Sequence, residues 1–363
     1  MGPAGLDVSR RLLVEPTHGV LTGPAPSAVP PSTGLDPAEP LRLARRRAGS
    51  GRRSLNPYVE IARPDHWFKN VFLAPGFVAA AALVPGVDLG LSVSRFLVCI
   101  AVACIISSAN YTLNEWLDAP HDRFHPTKRT RPAPSGRVRA RWVWLQYAFL
   151  SFTGLALAST LGLRFMATSA TLWIMGIVYN VPPIRSKDRV FIDVLSESFN
   201  NPLRLTMGWF SVPTALIPPS SLLVGYWMAG AFLMGMKRYA ELRTLQNGQA
   251  AGLYRRSLGT YTPEVLLVSS FFYSLLSSML LGVFLIKHRI ELLLSVPLLA
   301  GLFTWYLGMA FKEESPVQNP ERLVREPAFA LYCAVTAAVT LLLMLVDVPP
   351  LRTLLEMSLQ LPR

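Results

Sequence analysis

RFLVCIAVACIISSANYTLNEWLDAPHDRFHPTKRTRP, residues 95–132, runs from an apolar helix into acids and then into bases. From Phe96 to Leu113 it is apolar enough to sit in hydrocarbon, where a spanning helix needs about 20 such residues. Then come Asn114, Asp118 and Asp122, each four residues apart. That spacing is about 6 Å of helix rise with a small rotation, so the three side chains share one face. Pro120 lies among them and cannot donate the usual backbone bond, so the helix is expected to bend or end there. The basic run Arg123, Lys128, Arg129 and Arg131 follows at once. Carboxylates beside cations at a membrane surface suit a diphosphate whose oxygens bridge metal ions on one side and Lys or Arg on the other. Magnesium is the matching ion, because one or two carboxylates plus substrate phosphates hold it.

Outward from this stretch, apolar segments recur near 71–87, 141–160, 164–182, 193–217, 221–236, 265–286, 290–311 and 327–346, giving nine candidate spans with 95–117. The predicted fold is all-α, a polytopic membrane bundle of about nine transmembrane helices. Composition agrees: of 363 residues 51% are hydrophobic and 16% charged, yet the net charge is +13. An ordinary soluble domain carries about 25% charged residues, and a disordered chain has too little apolar material. About four fifths of the Lys and Arg fall in the N-terminal tail and the loops after even-numbered spans, which predicts a cytoplasmic N-terminus and a cytoplasmic-side active-site cavity. The organisation expected is a flexible basic Pro/Gly-rich tail over 1–57, a membrane domain over 58–347 and a short extension over 348–363. Arg10 and Arg11 are followed by too short an apolar run for a signal peptide, so no cleavage is expected. Cys99, Cys104 and Cys333 lie in apolar runs without metal-ligand spacing and read as packing residues.

The fifth segment is a poor span by hydropathy. DVLSESFNNPLRL, 193–205, carries Asp193, Glu197, Asn200, Asn201 and Arg204, which are costly in hydrocarbon unless they face protein or a wet cavity. Asp193 and Glu197 repeat the four-residue spacing, and Tyr179, Arg185 and Lys187 precede them. Two acid sets with two cationic loops on one side can grip one diphosphate and its metal ions from both flanks. The metal ligands expected are Asn114, Glu115, Asp118, Asp122, Asp193 and Glu197. Further polar groups occur in RPDHWFKN, 63–70, and MKRYAEL, 236–242, where Trp67 and Tyr239 also suit interface anchors and Lys69, Lys237 and Arg238 suit snorkelling. His66, His121 and His125 show no ligand pattern. No phosphate-binding glycine loop and no Gly-x-Ser-x-Gly motif is present, so covalent catalysis has no candidate and no nucleic-acid partner is indicated.

Together, RPxxWxKN (Arg63 to Asn70), the run from Asn114 to Pro132, KRYAEL (Lys237 to Leu242) and RxSLxxYT (Arg255 to Thr262) resemble the UbiA superfamily of intramembrane prenyltransferases. Within it they are most similar to the decaprenyl-phosphate phosphoribosyltransferase branch, over roughly residues 58–346. The resemblance implies a magnesium-dependent transfer of 5-phosphoribosyl from phosphoribosyl diphosphate to a polyprenyl phosphate acceptor. On this chain Asn114, Asp118 and Asp122 would then hold metal and diphosphate, with Lys69 as a further catalytic group. Lys128, Arg129, Arg131, Tyr179, Arg185, Lys187, Asp193, Glu197, Asn200, Arg204, Lys237, Arg238 and Tyr239 would line the substrates. Glu115 stands where that branch usually has Asp, and YNVPPIRSKD is similar to the loop of members that use prenyl diphosphates. A second donor therefore stays open, an isoprenyl diphosphate with an aromatic or other small acceptor. A channel or transporter would spread its charges through the membrane depth, whereas these gather on one face.

Overall fold

The computed structural model describes residues 56–123, 128–244, 255–312, 315–318, 323 and 326–351. The basic tail, apart from Asn56 and Pro57, the C-terminal extension beyond residue 351, and His125 lie outside the described residues. Eleven helices are labelled in chain order: α1 Pro57–Ile61, α2 Ala74–Leu83, α3 Leu89–Asp122, α4 Ala140–Ser159, α5 Leu163–Asn180, α6 Ile192–Ser198, α7 Asn200–Ser211, α8 Ser220–Thr244, α9 Pro263–His288, α10 Val296–Ala310 and α11 Pro327–Leu345.

Among the described residues four stretches are long and apolar enough to cross a membrane: α3, α9, Ile290–Ala310, which joins a 3-10 turn to α10, and α11. Their apolar side chains face outward, among them Leu97, Val268, Phe271, Met279, Leu331 and Leu345. Two of the nine expected spans are broken. The first is a 3-10 helix, Pro64–Leu73, that passes into α2. Pro75 in the first turn of α2 explains the change, since its missing N–H is tolerated there and nowhere deeper. At ten residues α2 is about 15 Å long, half the hydrocarbon thickness. The fifth span divides at Phe199 into α6 and α7, where Pro202 removes one donor from the helical ladder.

Glycine brings the broken pieces together. A Cβ on Gly76 of α2 would overlap the Leu205 carbonyl of α7, and one on Gly208 of α7 would overlap the Leu73 carbonyl. Backbone thus meets backbone, the close approach that small residues permit between helices in lipid. Gly230 of α8 likewise leaves room for the Asn201 amide.

As expected from Pro120, α3 ends in the turn that holds it: the helix runs for 34 residues and stops two residues beyond, at Asp122. Pro120 sits in the last turn, where losing one intrahelical bond costs little. Below it, Ile61 of α1 packs with Ala119, Ala133, Val138 and Val143. This small cluster seats the 131–138 loop against the end of α3.

Candidate active site

The C-terminal ends of α3, α5 and α8 meet, joined by the loops 182–191 and 255–262. Asp118 carries the first junction. Its Oδ1 accepts from Arg185 Nη2 at 3.1 Å and from Lys187 Nζ at 2.5 Å. The same Lys187 ammonium donates to Asn180 Oδ1 at 2.9 Å and Asn114 Oδ1 at 3.4 Å. Three oxygens from two helices therefore converge on one buried cation. Burial pulls the Lys187 ammonium down to about 8, although Asp118 opposes the shift. Arg185 is anchored in turn by Asp188, whose Oδ2 lies 2.9 Å from its Nε.

Asp122, one turn further on, accepts from Arg131 Nη1 at 3.1 Å and lies 3.9 Å from Lys128 Nζ. Burial lowers Lys128 to about 8, with Asp122 acting against it. Arg129 beside them is exposed. Glu115 belongs elsewhere. One residue along a helix is a rotation of about 100°, which turns Glu115 off the Asn114 and Asp118 face. Its buried carboxylate accepts the Ala133 N–H at 3.2 Å and holds the 131–138 loop.

The second acid pair is engaged by the protein itself. Asp193 is fully buried; Oδ1 accepts from the Tyr261 hydroxyl at 2.7 Å, and Oδ2 accepts from Ser257 Oγ at 3.1 Å and Arg238 Nε at 3.2 Å. Glu197 Oε2 accepts from the Tyr179 hydroxyl at 2.6 Å and from Arg238 Nη2 at 2.9 Å. Arg238 gives its third nitrogen to Glu241, 2.7 Å away. One guanidinium, 1% exposed, thus ties three carboxylates from two helices. Such a hub fixes α6 against α8 and holds Asp193, expected as a metal ligand, and Arg238, expected against substrate, in one buried network. Tyr239 is likewise core, buried edge-on against Phe311 at 5.3 Å.

The remaining expected residues are Lys69, Asn200, Arg204 and Lys237. Lys69 lies 5.9 Å from the Tyr111 ring centroid. Arg204 is buried, and among the described residues it bonds only neutral groups: Asn70 Oδ1 at 3.1 Å, the Asn200 carbonyl at 3.4 Å and Ser107 Oγ at 3.4 Å. Asn200 donates to the Glu197 carbonyl at 3.1 Å, while its Oδ1 is buried without a partner. Lys237 is half-buried and has no carboxylate within 4.0 Å among the described residues. Sequence reasoning missed Asn180, Arg255, Ser257 and Tyr261. Arg255 donates to the Tyr179 hydroxyl at 3.0 Å and lies 3.8 Å from Asp193. Arg255, Ser257 and Tyr261 all stand inside the RxSLxxYT run, which was the available signal.

Among the described residues no three His, Cys, Asp or Glu side chains form a preformed metal cage. Magnesium does not require one, since it keeps waters and takes substrate phosphates as ligands. The donor set suits it: Asn114, Asp118 and Asn180 offer hard oxygens, and they already surround a cation, the Lys187 ammonium.

Long apolar helices whose polar ends close around acids, amides and cations define an integral membrane protein with a helix-lined polar site. The chain belongs to the UbiA prenyltransferase family, whose family model matches residues 72–333. It is similar to the nodulation protein NoeC of Azorhizobium caulinodans, at 31% identity over 55% of this chain and 62% of that protein. It spans about three fifths of NoeC's length. The decaprenyl-phosphate phosphoribosyltransferase of Mycolicibacterium smegmatis is 26% identical over 61% of this chain and 68% of that protein. Among solved structures, a UbiA homolog from Archaeoglobus fulgidus bound to GPP and Mg2+ superposes with a TM-score of 0.59 at 22% identity, covering 78% of this chain and 99% of that one. This likeness establishes the shared fold.

Proposed function

We propose that this chain transfers a 5-phosphoribosyl group from phosphoribosyl diphosphate to a polyprenyl phosphate, with magnesium, at a site on the cytoplasmic side of a bacterial plasma membrane. The observation that carries the reading is the convergence of Asn114, Asp118 and Asn180 on one cation, with Arg185 alongside. Asn114 and Asp118 would hold the metal, and Arg185, Lys187 and Lys128 would face the diphosphate oxygens. Bound magnesium supplies charge neutralisation to the departing diphosphate. Asp122 positions Arg131 and Lys128, while the Arg238 hub keeps Tyr179 and Arg255 in place.

In the transfer an acceptor phosphate oxygen bonds to C1 of the ribose as the bond from C1 to the diphosphate breaks, and the diphosphate leaves with the electron pair. An acceptor that is already an anion needs no proton removed. The site agrees with that demand. His66, the imidazole beside it, is pushed down to about 2 by burial and by Lys69, Arg63, Lys237 and Arg131, and is a feeble base. An aromatic acceptor would call for a stronger one. The named phosphoribosyltransferase relatives support the same choice.

Membranes carrying the full chain, incubated with magnesium and either radiolabelled phosphoribosyl diphosphate or radiolabelled geranyl diphosphate, test it. Label from the first is expected in the lipid extract when polyprenyl phosphate is present. Label entering product from geranyl diphosphate alone would overturn the assignment.

A further inference from the structure

Cations without counter-ions are expensive inside a membrane protein, and Arg204 is the clearest case here. The residue is 8% exposed, and the partners of its guanidinium are an amide, a hydroxyl and a carbonyl. Replacing water by neutral acceptors leaves a buried charge uncompensated, at a cost of several kcal/mol. In a membrane bundle such a charge marks a ligand path. Two aromatic hydroxyls, Tyr111 and Tyr226, lie near it, and neither brings a negative charge at neutral pH.

Tyr111 links Arg204 to a second group of cations. The Lys69 ammonium and the Arg63 guanidinium stand 5.9 and 6.0 Å from its ring centroid. The His66 ring packs on Tyr111 at 5.3 Å, with its Nδ1 buried and unpartnered. Lys237 of α8 acts on the same imidazole, which the joint field of Lys69, Arg63 and Lys237 helps keep neutral. Among the described residues neither Lys69, Arg204 nor Lys237 has a carboxylate within ion-pair distance. Asp118, Asp122, Asp193, Glu197 and Glu241, by contrast, each face Arg or Lys partners of their own. The site therefore has two kinds of wall, one in which acids and cations pair directly and one in which Lys69, Arg204 and Lys237 stand without a paired acid; the nearest carboxylates are Asp65, 4.0 Å from Arg63 and 3.9 Å from His66, and Glu197 and Glu241, which act on Lys237 from beyond ion-pair distance.

We infer that Lys69, Arg204 and Lys237, set around the rings of Tyr111 and His66, form a metal-independent subsite for a phosphate monoester, the head group of the lipid acceptor, apart from the Asn114 and Asp118 position. The inference rests on the phosphoribosyl transfer proposed above. A phosphate dianion there would supply the missing charge and take donors from three side chains at once. The donor carries a phosphate monoester of its own on the ribose, so the two sources have to be separated by experiment.

Equilibrium binding of tritiated farnesyl phosphate to the full-length detergent-purified protein, in EDTA, is the direct probe, with tritiated farnesol as the uncharged control. Binding of phosphoribosyl diphosphate with magnesium is measured in parallel. The wild type is expected to bind farnesyl phosphate without metal and to bind farnesol far more weakly. Losing one charge-assisted contact costs about tenfold or more. Lys69→Met and Lys237→Met, both at half-buried positions, and Arg204→Gln should each show that loss, while phosphoribosyl diphosphate affinity stays within about threefold. Wild-type affinity for farnesyl phosphate in both lysine variants would overturn the subsite, and so would absence of metal-free binding by the wild type. A loss confined to phosphoribosyl diphosphate would reassign the cations to the donor and overturn it equally. If farnesyl phosphate behaves as expected but the wild type never binds phosphoribosyl diphosphate, the proposed donor fails and the subsite stands.

Discussion

Replacing Lys187 by Met removes a buried ammonium from the point where Asp118, Asn114 and Asn180 converge, and two opposite effects follow. Asp118 keeps Arg185 at 3.1 Å but loses the partner at 2.5 Å. Two unit charges about 4 Å apart interact by about 4 kcal/mol at an effective dielectric constant of 20. A divalent ion approaching Asp118 no longer meets that repulsion, and allowing for desolvation and relaxation the net gain is about 1–2 kcal/mol. The manganese concentration that half-saturates the donor-free protein, followed by electron paramagnetic resonance, should fall by about tenfold. The diphosphate, meanwhile, loses a charge-assisted donor, so kcat/KM for the donor should fall by about ten- to a hundredfold. Lys187→Arg should recover part of the donor affinity without the tighter metal. A half-saturating manganese concentration that stays the same or rises in Lys187→Met would refute the idea that the ammonium stands in the cation position.

Three other perturbations follow from the geometry. Arg238→Met leaves Asp193, Glu197 and Glu241 without their shared guanidinium, and breaking a buried ion network of this kind costs about 3–5 kcal/mol, visible as a large drop in melting temperature in detergent. Gly208→Ala drives a methyl into the Leu73 carbonyl and should cost about 1–3 kcal/mol in the same measurement, whereas Gly308→Ala, with open space around it, should not. His66 is neutral in the folded protein but takes up a proton below about pH 6.5 when unfolded, so the unfolded state binds more protons in acid and stability falls there. Between pH 7.5 and 5.5 the loss is about 1.4 kcal/mol, and it should vanish in His66→Gln.

Spacing carried the part of the site that lies on one helix. A four-residue interval sets the side-chain direction whatever the surroundings, so Asn114 and Asp118 share an ammonium as the ladder implied. Asp122 keeps the same face yet meets Arg131 and Lys128, because the loop after α3 folds back over the last turn. The long apolar runs read as helices because outward faces in lipid demand little beyond hydrophobicity. The reading stopped where partners are remote in sequence. The partners of Asp193, which are Arg238, Ser257 and Tyr261, arrive from 45 to 68 residues away, and no local spacing announces them. The broken first and fifth spans were hidden for another reason. Pro75 and Pro202 are visible, but whether proline kinks, caps or divides a helix depends on what packs against it.

The glycine contacts between α2 and α7 have a mechanical meaning. Lys69 and Asn70 lie just ahead of α2, and Arg204 sits between Leu205 and the Asn200 turn, so each cation is within a few residues of a point where the two backbones touch. Pinned at Gly76 and again at Gly208, the pieces cannot rotate independently. The proposed cationic subsite would then behave as one stiff plate, and a pull on Arg204 would be transmitted to Lys69. Energies measured for the two side chains separately should therefore fail to add, and the mismatch would vanish once Gly208 is enlarged and the plate is split.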